Sequence, residues 1–323
     1  MTIMGCRGKA SAIFIFGVKN MKYLVIGAGG TGGPIAAHLK KGGADVSVIA
    51  RGEHLKAIKE KGLTIKKSDN NDFTVKIDAY SEEEYHEKAD VILVTVKSYS
   101  VDSVINLIRK AAHENTVVIP LLNVFTTGEY LSEKLPELYV VDGTMYIVSS
   151  IKEPGVITMN ADIFRVIFGE RKGQAAKDIL DIAAEEMLQR GINTKHTSEI
   201  RKEALLKFSF VSPLAATGVF HKCRAGDMQK EGEARETFIS LVSEVETLAN
   251  SMGISFEEKL VQRSLKLLHA RTPDMIASMQ RDVESGKQSE FDGLIHSVAK
   301  ISKEKGLGLK TYEMISEFGK EIP

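Results

Sequence analysis

Apolar residues in the first two thirds of the chain fall in short unbroken runs. Segments 23–26, 45–50, 89–96 and 116–122 each carry four to eight mostly apolar residues. Runs of that length, closed by Gly, Lys, Arg or Asn, predict strands buried on both faces, as in a parallel sheet. The intervening segments 35–39, 53–61 and 101–113 have helical spacing instead. Segments 63–67 and 73–77 predict two strands joined by the polar turn Ser68–Asp72. Strands are expected again at 139–149, 155–160, 164–169 and 193–196, with a helix over 174–190. From Thr197 onward the pattern is helical throughout, over about 198–222, 231–252, 256–270, 274–286, 288–305 and 310–320. The change of period places a domain boundary near 190–197. The expected division is an extension at 1–20, a strand–helix domain at 21–196 and a helical domain at 197–323.

Composition narrows the class. A length of 323 residues suits two cores, and 43% hydrophobic with 27% charged residues is globular. Lys plus Arg equals Asp plus Glu at 43 each, so no charge excess points to nucleic acid or an anionic membrane. No apolar run is read as approaching a membrane span. Cys6 and Cys223 form no metal-ligand spacing and no disulfide framework, which suits a reducing, cytoplasmic setting. The apolar run 12–18 leads directly into Met21, so residues 1–20 are expected to be a dispensable extension rather than a secretion signal. The eight histidines are scattered, no metal site is expected, and neither a nucleophile elbow nor a P-loop lysine is present.

The first run, 23–26, opens into Gly27-Ala28-Gly29-Gly30-Thr31-Gly32-Gly33-Pro34, followed by helix formers. A G-x-G-x-x-G set between strand and helix is the dinucleotide-binding context of a Rossmann-type domain. Gly27 allows the turn, Gly29 the approach of a pyrophosphate, and Gly32 close helix–strand packing; the first N–H groups of the helix hold the phosphates. A glycine-rich connection without a ligand is the plainer alternative. Arg51 ends the second strand, 24 residues after Gly27. An acidic residue there would suit NAD, whereas Arg suits the 2′-phosphate of NADP. His54 and Lys56 add positive charge nearby and Glu53 opposes it. NADP(H) is therefore expected, with Arg51 as a solvated loop cation the other reading.

Lys97 and Asn123 close successive strands at the sheet edge that carries the glycine loop, where open α/β sheets bind ligands. Lys207 is the one charge in the apolar segment 205–216, with Val211 and Ala215 one and two helical turns on. It either extends to the surface along its methylene stem or is functional. A carboxylate beside it, from Glu290 or the run with Asp282 and Glu284, would keep the ammonium charged. It could then protonate the alkoxide formed when hydride reaches a ketone.

Taken together, these residues resemble the ketopantoate reductase (2-dehydropantoate 2-reductase) family, from Met21 to the C-terminus. The glycine loop, Arg51 with His54-Leu55 and Gly62-Leu63, Val94-Thr-Val-Lys97, Asn123, Lys207-Phe208, Ser278-Met279 and Glu290 carry the likeness. The resemblance implies NADPH-dependent reduction of ketopantoate to pantoate, on the way to pantothenate and coenzyme A. Lys207 would be the general acid and Glu290 its orienting partner. Lys97, Asn123 and Ser278 would bind substrate, with Lys97, Asn123 and Glu290 also near the cofactor. The partner implied is a small 2-keto acid, with neither nucleic acid nor membrane, and a homodimer is compatible with it. The chain departs from the family pattern at Val124, where Gly is common, and at Val211 and Ala215, where many members carry Asn. Reduction of another branched 2-keto acid, or cofactor binding without catalysis, are the alternatives kept.

Overall fold

The structure is a computed structural model and describes residues 21–322; the expectation for residues 1–20 lies outside it. The chain starts β1 (Lys22–Ile26), α1 (Gly32–Lys41), β2 (Asp45–Ile49), α2 (Gly52–Lys61), β3 (Leu63–Lys67), β4 (Phe73–Val75) and β5 (Asp78–Tyr80). It continues β6 (Ala89–Val94), α3 (Val101–Ala111), β7 (Ala112–Pro120), α4 (Thr127–Lys134), β8 (Tyr139–Val140), β9 (Asp142–Glu153), β10 (Val156–Gly169), α5 (Asp178–Gln189) and β11 (Asn193–His196). Helices follow: α6 (Ile200–His221), α7 (Ala225–Gln229), α8 (Glu233–Ser251), α9 (Leu260–His269), α10 (Ser278–Glu284), α11 (Ser297–Lys305) and α12 (Lys310–Phe318), with a π-helical turn, Asp292–His296, leading into α11.

The central sheet is parallel, in the order β5-β2-β1-β6-β7-β8. Its unbroken apolar runs follow from burial on both sides. Tyr23 and Val25 of β1 face one core and Leu24 and Ile26 the other, and all four are fully buried. The Tyr23 face packs on α1, α5 and a second sheet, β11-β10-β3-β4, in which β9 lies against β10. The sequence suggests two strands at 155–160 and 164–169, but one strand, β10, covers both. Its pairing with β9 shifts between Met159 and Phe164, and this irregularity lets the first half take β3 and the second half β11.

The helical half has its own core, drawn from α6, α8, α9, α11 and α12. Its axis is α6, apolar all round and buried over most of its length. By length and composition α6 would pass for a membrane span, with mean hydropathy 1.2 over its most apolar window, which corrects the reading that no run approaches one. Burial of 72% of that window accounts for the composition, as for the core helix of a globular fold. Pro213 interrupts α6 and frees the Ser209 carbonyl, to which Ser264 of α9 donates at 3.4 Å.

Candidate active site

The glycine loop is shaped by close approach. Gly27 has φ +104°, in the left-handed region, and its N–H and that of Ala28 both donate to the Ile49 carbonyl. A Cβ on Gly32 would stand 2.2 Å from Thr95 Oγ1 and 2.3 Å from the Gly27 carbonyl oxygen, so α1 can approach β1 only with glycine there. Gly29 is the opposite case, since nothing lies within 4 Å of where its Cβ would be.

Three side chains hold the loop's carbonyls. Thr95 Oγ1 donates to the Gly27 carbonyl at 2.8 Å, Ser149 Oγ to that of Gly30 at 2.5 Å, and His54 Nε2 to that of Ala28 at 2.8 Å. Among the described residues the N–H groups of Gly29, Gly30 and Thr31 make no backbone hydrogen bond. The first turn of α1 has neither a capping side chain nor an acidic residue. Open space above Gly29, free N–H groups and a helix N-terminus fit a pyrophosphate.

Arg51 is exposed at the N-cap of α2, directly after β2, and its guanidinium makes no hydrogen bond or ion pair among the described residues. His54 straps the loop to the β9–β10 turn: its Nδ1 accepts the Gly155 N–H at 3.1 Å while its Nε2 holds the Ala28 carbonyl.

Four of the residues singled out from sequence come together in the second half of the site. Lys97 and Asn123 follow the ends of β6 and β7, Lys207 projects from α6, and Glu290 precedes the π-helical turn. Lys207 Nζ donates to Asn123 Oδ1 at 2.9 Å and to the Met145 carbonyl at 2.5 Å. Asn123 Nδ2 donates to Glu290 Oε2 at 3.2 Å. Lys97 Nζ reaches the same oxygen at 3.4 Å and Asp282 Oδ2 at 3.1 Å, while the Ser98 N–H donates to Glu290 Oε1 at 3.4 Å. Glu290 is only 3% exposed, and these contacts are what allow a carboxylate at that depth.

The carboxylate expected near Lys207 is Glu290, and it acts at one remove. The Asn123 amide stands between Lys207 and Glu290, and Asp282 pairs with Lys97. Burial accordingly outweighs the charge of Glu290 and pulls the Lys207 ammonium down to about 8. For Lys97 the balance is reversed. Burial alone would lower it, but Glu290 and Asp282 prevail and the ammonium is raised above its usual value. Ser278 is exposed at the start of α10, one turn before Asp282 and on the same face. It is not part of the hydrogen-bonded group around Glu290.

Sequence reasoning missed the Met145 carbonyl, which as a backbone atom has no signature. It also missed the straps Thr95 and Ser149.

The pattern of glycine loop, strand-end Lys and Asn, helix Lys and later Glu can be set against known proteins. The family model for ketopantoate reductase PanE/ApbA matches residues 23–173, and the model for its C-terminal part matches 199–322. The chain belongs to the ketopantoate reductase family. Members of that family are NADP-dependent oxidoreductases. The chain is 27% identical over 297 residues to an uncharacterized oxidoreductase, YkpB, of Bacillus subtilis, covering 91% of this chain and 96% of that one. It is 22% identical over 309 residues to a 2-dehydropantoate 2-reductase of Aquifex aeolicus, covering 93% and 96%. The fold matches that of a PanE/ApbA family ketopantoate reductase of Ralstonia eutropha, with TM-score 0.83, 20% identity, and coverage of 94% and 98%.

Proposed function

We propose that the protein reduces 2-dehydropantoate to pantoate with NADPH, in a site between the NADP-binding residues 21–196 and the helical residues 197–323. The observation that carries this reading is the Lys207 ammonium, partly buried, held by two acceptors and pulled down to about 8. A general acid works best with its pKa near the working pH, and at pH 7 such a group is still about nine-tenths protonated.

Bound NADPH supplies the hydride. The loop N–H groups and α1 hold its phosphates, and Arg51 reads the 2′-phosphate. Two of the three Lys207 N–H bonds are committed to Asn123 and Met145, which leaves the third for the substrate carbonyl oxygen. As charge develops on that oxygen, Lys207 stabilises it and then delivers the proton. Glu290 acts on Lys207 through Asn123 and fixes the amide's orientation. Lys97 and Ser278 supply donors for the substrate carboxylate. The product would enter pantothenate synthesis in the cytoplasm.

A second reading, reduction of another branched 2-keto acid, is favoured by Val211. It lies one turn beyond Lys207, is partly exposed and is not packed on the helical core, so it offers a methyl surface to that side of the site.

The test is a panel of 2-keto acids with NADPH, using wild type and Lys207→Ala. Ketopantoate is expected to lead the panel, and Lys207→Ala to turn over about 10²–10⁴-fold more slowly. A clear preference for another keto acid moves the assignment to the second reading. NADPH binding without oxidation on any substrate refutes both. Unchanged turnover in Lys207→Ala removes its role as acid.

A further inference from the structure

Arg201 lies on α6, six residues before Lys207, and touches three separate segments. Its Nε is 3.1 Å from Asp142 Oδ2 at the start of β9. Its Nη1 donates to the Phe125 carbonyl at 3.4 Å, and its Nη2 to Glu129 of α4 at 3.3 Å. Two of the three contacts lie close in sequence to a part of the Lys207 cage. Phe125 is two residues after Asn123, and Asp142 is three residues before Met145 on the same strand. The acceptors of the Lys207 ammonium are Asn123 Oδ1 and the Met145 carbonyl. One guanidinium therefore ties together the helix that carries the lysine and both segments that hold its ammonium.

We propose that the Arg201–Asp142 ion pair is a positioning clamp that sets the Lys207 ammonium between Asn123 and Met145; this rests on the reading of Lys207 as proton donor. Stability alone does not account for the pair. The Asp142 carboxylate is buried, with 3% of its side chain exposed, and among the described residues neither oxygen accepts a well-aligned hydrogen bond, the Arg201 Nε contact included. Gly128 packs so closely that a Cβ there would lie 2.1 Å from Asp142 Oδ1. Burial raises the Asp142 carboxyl, opposed by Arg201 and Arg171. A buried pair of this kind is commonly matched or exceeded in stability by apolar residues of similar volume, whereas removal of one partner strands the other charge.

The test uses the double variant Arg201→Met with Asp142→Leu, which removes both charges and keeps volume, alongside Arg201→Lys. The titratable groups around Lys207 are Glu290, with Lys97 and Asp282 behind it, and Tyr146 of β9. Glu203, Arg165 and Arg263 act in turn on Tyr146. None of these is altered by the double variant. It is expected to fold and bind NADPH as wild type does, and to lose kcat by about 10²-fold with KM little changed, the size of effect of an ångström-scale misplacement.

Loosening the cage admits water, so the Lys207 titration, followed by nitrogen NMR of labelled lysine, moves up from about 8 towards the usual lysine range. Arg201→Lys keeps the charge but loses the fork, and recovers part of kcat. A double variant that folds with wild-type kcat and an unmoved Lys207 titration overturns the clamp. The NMR arm decides even if no keto acid is turned over, an outcome that would count against the proton-donor reading instead.

Discussion

Glu290→Gln tests how Lys207 is tuned. The variant keeps one acceptor oxygen, enough for Asn123 Nδ2 or the Ser98 N–H but not both, and removes the one charge that holds the Lys207 ammonium up against burial. The Asn123 amide spans the gap between them, through hydrogen bonds of 2.9 and 3.2 Å. Two unit charges roughly 7 Å apart, at an effective dielectric of about 20, interact by about 2.4 kcal/mol. Lys97, 3.4 Å from the same carboxylate, offsets part of this. The net loss is then about one pKa unit, or 1.4 kcal/mol. The sign follows from the charge: a lysine with a lower pKa loses its proton at lower pH, so the acid form disappears earlier as pH rises. Wild-type kcat/KM for keto acid reduction is expected to fall above about 8, and that of the variant above about 7. The loss then grows from about twofold at pH 7 to about tenfold at pH 9. The assay is kcat/KM against pH in one ionic-strength-matched buffer series. A loss independent of pH, or an alkaline limb that moves upward, refutes the coupling through Asn123.

Two more perturbations separate cofactor binding from folding. Gly29→Ala should leave chemical-denaturation stability within about 0.5 kcal/mol of wild type, since nothing lies within 4 Å of the new Cβ, while calorimetry shows NADPH affinity falling at least about tenfold as the methyl enters the pyrophosphate's space. Gly32→Ala should instead cost stability by about 1–3 kcal/mol, because its Cβ would meet the Gly27 carbonyl at 2.3 Å; the reverse pattern would place the ligand elsewhere. Arg51→Asp should shift preference from NADPH towards NADH in steady-state assays, through loss of a charge-assisted contact to the 2′-phosphate. An equal loss of affinity for both cofactors would show that Arg51 does not read that group.

The parallel sheet was legible because strands buried on both faces leave unbroken apolar runs, and β1, β2 and β6 follow theirs closely. In the second sheet β3 and β11 stand where strands were expected, but β9 and β10 differ in their limits. β9 mixes buried and exposed positions without clean alternation, and the join within β10 exists only through its pairing with β9. β5, at three residues, is held by parallel pairing with β2, about thirty positions earlier in the chain, and α4 and α7 are too short for their periodicity to stand out. In the site, Lys97 and Asn123 were legible because a polar residue just past a parallel strand lies at the ligand-binding edge. Lys207 stood out as a charge in an apolar helix. Its environment was hidden. One acceptor is a backbone carbonyl on a strand sixty-two positions away, and the other is an amide that sequence separation gave no reason to set between lysine and glutamate.

The proposed acid, Lys207, owes its environment to neither half of the chain alone. The helical half brings a lysine whose ordinary state is fully charged at neutral pH. The strand half brings the Met145 carbonyl and the Asn123 amide, which hold an ammonium without neutralising it. Glu290 returns from the helical half to the sheet edge, where Lys97 and the Ser98 N–H stabilise its charge. Only when α6 lies against β9 is Lys207 desolvated enough for burial to exceed the pull of that carboxylate. Desolvation weakens the grip on the proton, and the carboxylate limits how far it weakens. A group that must give up a proton to a forming alkoxide and still be charged when substrate arrives needs both effects together. Its acid strength is therefore set by how closely the two halves meet, and a substitution far from the lysine can change the chemistry by changing that contact.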